Sequence, residues 1–172
     1  MYRKTWMQVN LDKIKRNLIK LKDICQKKII AVLKADAYGC GDIHVARAVL
    51  EAGAEMIAVS SLDEALVLRN EGYEGKLLIL GATEASDIPV LIKQGISCTA
   101  YSNEWVDNVI QQNCADLHVH LKMDTGMSRI GFRTIDELHS AFNKLQAANC
   151  TMEGIFTHFC CADSDLELTN LQ

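Results

Sequence analysis

The feature that most constrains this chain is a recurrence: a short apolar run, a few turn residues, then a stretch with helical spacing, over and over. The first run, IIAVL at 29–33, is β-branched and too short for a helix; it ends at Lys34 and the glycine-containing turn ADAYGCG. MIAVS (56–60), LLIL (77–80), ISCTA (96–100), LHVHLKM (117–123) and GIFTHF (154–159) follow the same plan and read as strands. Helices are expected near 43–53, 62–71, 85–94, 103–112 and 135–148, with the lone Pro89 near a helix start, where its missing N–H matters little. Ahead of the first strand, Leu11, Ile14, Leu18, Leu21 and Cys25 share one helical face, and Asp12 stands near the start as a cap.

Strict alternation of strand and helix argues for an α/β fold with a parallel sheet covered by helices. The pattern suits a TIM-type (β/α)8 barrel, of which about six of the eight units are present; a closed barrel needs roughly 250 residues. The chain stops at TNLQ, inside what reads as the opening of a further helix. The expected organisation is therefore one incomplete barrel domain over 1–172, with open sheet edges that disfavour solubility of the isolated piece.

Composition excludes some classes of partner. With 49% hydrophobic and 23% charged residues, disorder is excluded, and the net charge of -4 comes with scattered Lys and Arg. No basic stripe offers itself to nucleic acid or to a membrane surface, which leaves a small molecule. The start, MYRKTWMQVN, has no apolar signal-peptide core, and no later run is long enough to span a bilayer; the cytoplasm is the expected location. Seven cysteines (Cys25, Cys40, Cys98, Cys114, Cys150, Cys160, Cys161) form no CxxC pair and read as reduced, small core residues.

In parallel α/β barrels reactive groups gather at the carboxyl ends of strands, and Lys34, Lys122 and His158 fall there. Alternation within LHVHLKM turns Leu117, Val119, Leu121 and Met123 toward the helices, and His118, His120 and Lys122 to the other face. A lysine placed like Lys34 is partly withdrawn from water, and its neutral amine could form an imine with an aldehyde. It could equally snorkel out of the barrel mouth, and position alone does not decide. The HxH pair at 118–120 has no second cluster to complete a metal site, so hydrogen-bonded histidines are expected and no metal. His44 and His139 lie on expected helices and read as solvated. Asp124 and Thr125 precede a glycine and read as organisers of a turn, and Met127 and Ile130 as packing residues.

Three motifs then carry a resemblance. AVLKADAYGCG (31–41), LKMDTGMSRIGF (121–132) and EGIFTHF (153–159) resemble, in order, the signatures of the alanine racemase family, and WMQVNLDKIKRN and AVSSLDEALVLR extend the match to nearly the whole chain. The resemblance implies a pyridoxal 5'-phosphate enzyme that interconverts L- and D-alanine for peptidoglycan precursors. Lys34 would hold the cofactor covalently and act as acid or base on one face of the substrate. Tyr38 would bind the cofactor phosphate, Arg129 the cofactor phenolic oxygen and the substrate carboxylate, and His158 would lie against the pyridine ring. Lys122 corresponds to a lysine that carries a carbamate in many members; here that and an ordinary lysine both stand.

The family's second base is a tyrosine from the carboxyl-terminal β-domain of a partner subunit, which implies a homodimer at full length and an inactive 172-residue piece. Cys40 stands where a histidine is frequent, and Cys160-Cys161 replace smaller residues. The alternatives are a non-catalytic pyridoxal phosphate-binding protein on the same barrel, against which LKMDTGMSRIGF stands, and a serine or broad-specificity racemase.

Overall fold

A computed structural model describes residues 4–172. The chain divides into two compact units, one ending at Leu77 and one running from Leu78 to Gln172.

The first unit opens with α1 (Leu11–Cys25). Its cap is Asn10, whose side chain accepts the Lys13 N–H at 2.9 Å; Asp12, expected as the cap, sits instead in the first turn, where its charge suits the helix dipole. Then come β1 (Ile30–Val32), α2 (Lys34–Gly39), α3 (Asp42–Glu51), β2 (Met56–Val59) and α4 (Leu62–Asn70). β1 and β2 are parallel, with Ile30 opposite Met56 and Val32 opposite Ala58, and every residue of β2 is buried. The sheet order is β1-β2-β3, and the division between the units falls within β3 (Leu77–Ile79).

In the second unit a 3-10 turn at Ala85–Asp87 leads into α5 (Ile88–Gln94), so the helix expected from 85 starts three residues later, with Pro89 in its first turn. There follow β4 (Cys98–Ala100), α6 (Asn103–Val109), β5 (His118–Lys122), α7 (Ile135–Ala147), β6 (Thr151–Phe156) and α8 (Leu166–Leu171). β4, β5 and β6 form a parallel sheet in that order. Val119 and Leu121 are buried, and so are His120 and Lys122, so both faces of β5 are covered. β6 begins three residues before the expected GIFTHF run and ends at Phe156, because a bulge lets Val119 pair with Met152 and His120 with Gly154, leaving Glu153 as the extra residue.

Both units thus have α/β architecture with parallel strands. All seven cysteines are free, but only Cys98, Cys114 and Cys150 are core residues; Cys25 and Cys160 are exposed, and Cys40 and Cys161 half-buried. Among the described residues, no helix is long and apolar enough to cross a membrane.

Candidate functional site

The first unit carries Lys34 and Tyr38. Lys34 is half-buried and follows the fully apolar end of β1, where Leu33 donates its N–H to Ala58 of β2. The glycine-containing turn expected after it is there, with Gly39 and Gly41 at positive φ, but the left-handed backbone begins before the glycines. Ala35, Asp36, Ala37 and Tyr38 all have φ between +51 and +56 degrees and ψ between +36 and +53 degrees, a left-handed helical turn made of four successive non-glycine residues. That conformation costs roughly 1–2 kcal/mol per residue, and left-handed stretches of this kind persist only where the surroundings hold them. Inside the turn, Ala37 donates to the Leu33 carbonyl (2.9 Å) and Gly41 to that of Asp36 (3.0 Å), while the Asp36 carboxylate takes the Asp42 N–H at 2.8 Å and so receives the start of α3. The Lys34 amine lies 5.9 Å from the centre of the exposed Tyr38 ring.

A residue that sequence reasoning did not single out holds this turn from outside. Glu64, in the first turn of α4, accepts the Ala35 N–H on Oε1 at 2.8 Å and both the N–H and hydroxyl of Ser60 on Oε2, each at 2.8 Å. The only local signal was S-x-x-E at 61–64, which marks a helix start and says nothing about a partner in the β1 turn.

The second unit carries Lys122, Arg129 and His158. Lys122, at the end of β5, is only 2% exposed, with its amine 5.2 Å from the Phe156 ring centre. Burial first and the charge of Arg129 second push its ammonium below the usual lysine range, opposed by Asp124. The loop from Asp124 to Phe132 is tightly organised. Asp124 accepts the N–H groups of Gly126 (3.1 Å) and Ser128 (2.9 Å), and these bonds, with Arg133 and Lys122 nearby, outweigh burial and hold its carboxyl below the usual range. Its own N–H goes to Phe132, which donates back to Lys122. Gly131, at φ +129 degrees, is required here: a Cβ would stand 2.8 Å from the Asp124 nitrogen and 2.9 Å from the Lys122 carbonyl oxygen. Arg129 lies exposed on this loop, and Thr125 hydrogen-bonds Thr157 at 2.7 Å, tying the loop to the segment after β6. His158 is exposed two residues past the end of β6 rather than at it.

His118 and His120 both turn to Glu153, the bulge residue, at 2.9 and 3.3 Å, and Ser97 donates to the same carboxylate. His120 is buried, whereas His118 at the start of β5 is exposed. Burial raises the Glu153 carboxyl, but Ser97 and His118 outweigh it and hold it below its usual range. Among the described residues, no group of three or more His, Cys, Asp or Glu side chains could hold a metal ion.

In the first unit, an amine at a strand end with a phenol beside it is chemistry suited to an aldehyde-bearing cofactor; the second unit, taken by itself, offers an exposed guanidinium on an ordered loop, a group suited to carboxylates. Fold and donors together define the class: an α/β protein with the residue types of a pyridoxal phosphate enzyme.

Comparison with known proteins gives the family. The alanine racemase N-terminal domain profile matches residues 9–172, and the chain belongs to that family. It is 39% identical over 168 residues to an alanine racemase of Halalkalibacterium halodurans, covering 94% of this chain and 43% of that protein. An alanine racemase from Bacillus anthracis with bound L-Ala-P has a TM-score of 0.90 at 37% identity, over 99% of this chain and 46% of its own. A histidine racemase from Leuconostoc mesenteroides scores 0.87 at 30% identity, over 94% and 45%. The chain spans less than half the length of the relatives it matches. Homologues in this family use pyridoxal 5'-phosphate.

Proposed function

We propose that this chain is the lysine-bearing portion of a pyridoxal phosphate-dependent racemase that interconverts L- and D-alanine, built on a (β/α)8 barrel of which residues 1–172 form an incomplete domain. The observation that carries the reading is Lys34: a half-buried lysine that follows an apolar strand and leads into a strained left-handed turn shared with Tyr38. Strain of this kind is characteristic of functional sites.

When bound, the cofactor supplies an electron sink for the charge left by removal of the substrate α-proton. Lys34 Nζ holds the cofactor and afterwards carries that proton on one face of the α-carbon. The Tyr38 hydroxyl donates to the phosphate. Arg129 pairs with the substrate carboxylate and an anionic ring oxygen, tasks for a planar donor that is charged at every working pH. His158 packs against the ring. Lys122, whose ammonium is already pushed to give up its proton, reacts as the neutral amine with carbon dioxide. A nitrogen–carbon bond forms, a second proton leaves, and with two protons lost a buried cation beside Arg129 becomes an anion that attracts it. Density or added mass on Lys122 in protein prepared with labelled carbon dioxide tests this step; unmodified lysine overturns it.

The proton on the opposite face requires a second base, which we place in a partner subunit of a cytoplasmic homodimer. The likeness to a histidine racemase supports a second reading, a broader amino-acid range. Borohydride reduction of the full-length native protein with pyridoxal phosphate, followed by peptide mapping, is expected to label Lys34; labelling elsewhere overturns the assignment. Racemisation of alanine measured against serine and histidine separates the two substrate readings.

A further inference from the structure

Glu64 occupies the third position of α4, where a glutamate ordinarily turns back on its own helix end. Glu137 does this in α7: Thr134 caps the helix, and Glu137 Oε2 accepts the Thr134 N–H at 3.1 Å to close a capping box. Ser61 caps α4 in the same manner, its hydroxyl accepting the Glu64 N–H. The Glu64 carboxylate, however, also reaches across to another strand-end turn. One oxygen is committed to Ser60, and the other to Ala35, a residue 29 positions away. The Ala35 N–H belongs to the peptide that joins Lys34 to Ala35, the first link of the left-handed turn. A hydrogen bond from a backbone N–H to a carboxylate is roughly twice as strong as a neutral one, and this one acts where the strained backbone begins.

Glu64 is suited to hold rather than to exchange protons. Burial raises its carboxyl, but the N–H groups of Ala35 and Ser60, the Ser60 hydroxyl and the Lys34 charge outweigh it and keep the group below the usual carboxylate range. It is an anion wherever such an enzyme would work.

We propose that Glu64 is a positioning residue for Lys34: by accepting the Ala35 N–H it clamps the peptide plane following Lys34 and so fixes the direction in which the amine leaves β1. The proposal rests on the reading of Lys34 as the cofactor lysine. Glu64→Gln removes the charge and leaves one acceptor oxygen for partners that now occupy two.

In the full-length native protein, borohydride with pyridoxal phosphate first establishes that Lys34 is labelled. In E64Q, Lys34 is still labelled, but in the cofactor-free protein the Ala35 amide exchanges with solvent about tenfold faster, as expected for loss of a charge-assisted hydrogen bond. The pH midpoint of the visible absorbance of the lysine-bound cofactor falls, because an anion beside the protonated linkage is gone. Turnover drops more than KM changes. E137Q, which loosens a capping box elsewhere, lowers Tm and leaves Ala35 exchange and the absorbance midpoint untouched.

Wild-type exchange and midpoint in E64Q, with a Tm loss like that of E137Q, would reduce Glu64 to a helix cap and overturn the proposal while Lys34 stands. Labelling away from Lys34 in the wild type would overturn the functional reading and this proposal together. Should E64Q not fold, E64D carries the exchange readout: its shorter carboxylate keeps the charge, so the absorbance midpoint stays near wild type, but lengthens the reach to Ala35, whose amide then exchanges faster. Wild-type Ala35 exchange in E64D would overturn the proposal.

Discussion

At the scale of single residues, Lys122 poses the sharpest energetic question. Its ammonium is buried beside Arg129, and both influences push its proton off. The folded chain therefore binds that proton more weakly than the unfolded chain, whose lysine titrates near 10.5. The sign follows. Below the folded value the whole penalty is present; between the folded and unfolded values the unfolded chain holds more protons, so stability rises with pH and the penalty fades. Lys122→Met, similar in length and apolar, should raise stability at neutral pH in carbon dioxide-free buffer by about 1–2 kcal/mol, or several degrees of Tm. The gain should close toward the alkaline end of that window. A Tm below wild type in that buffer would overturn the reading of Lys122 as a penalised buried cation; in bicarbonate-equilibrated buffer the same order is expected instead, as the behaviour of a carbamate beside Arg129. Lys122 was legible in the sequence because an alternating strand ends on a cation; Glu153 was not, because only the bulge opposite Val119 and His120 brings it to both histidines.

At the scale of elements, most of the layout could be read from apolar periodicity, and the failures have physical causes. β6 was placed too late because its bulge breaks the alternation that identifies a strand. The left-handed turn was invisible because positive φ is ordinarily advertised by glycine, and Ala35 to Tyr38 contain none. What holds them is non-local: Glu64 from α4 and the backbone bond to Leu33. Ala35 separates strain from function. It is exposed, so Ala35→Gly loses no buried methyl, keeps the N–H that Glu64 accepts, and removes the steric cost of its left-handed backbone. Gly gives part of that back through the entropy of the unfolded chain. The net expectation is a stabilisation of about 0.5–1 kcal/mol, read as a raised Tm. The same change at Ala37, which is buried, should not stabilise. A lowered Tm in A35G would show that the turn is not strained at that residue.

At the scale of the whole molecule, each unit leaves apolar surface open. In the first, a cavity of ≈350 Å3 is lined by Ile14 and Leu18 of α1, Ile30 and Val32 of β1, and Val45 and Val49 of α3. Ile30 and Val32 are themselves exposed, on a strand whose described pairing is to β2 alone. In the second, Ile155 of β6 is 63% exposed and Leu171 of α8 84%. Isolated exposed apolar side chains are ordinary, but a cavity beside a strand carrying two of them is the kind of surface that binds something. A net charge of -4 spread over 172 residues supplies little repulsion between copies. A protein consisting of these 172 residues alone is therefore expected to bind an apolar dye such as anilinonaphthalene sulfonate in its folded state and to increase in apparent mass with concentration by light scattering. Lys inserted at Val32 should weaken both effects by charging the strand edge, without touching the Leu33 N–H bond that anchors the strand end to β2. A monodisperse 172-residue protein that leaves the dye dark would mean that these surfaces are covered within the chain itself, and the expectation of open apolar surface would fall.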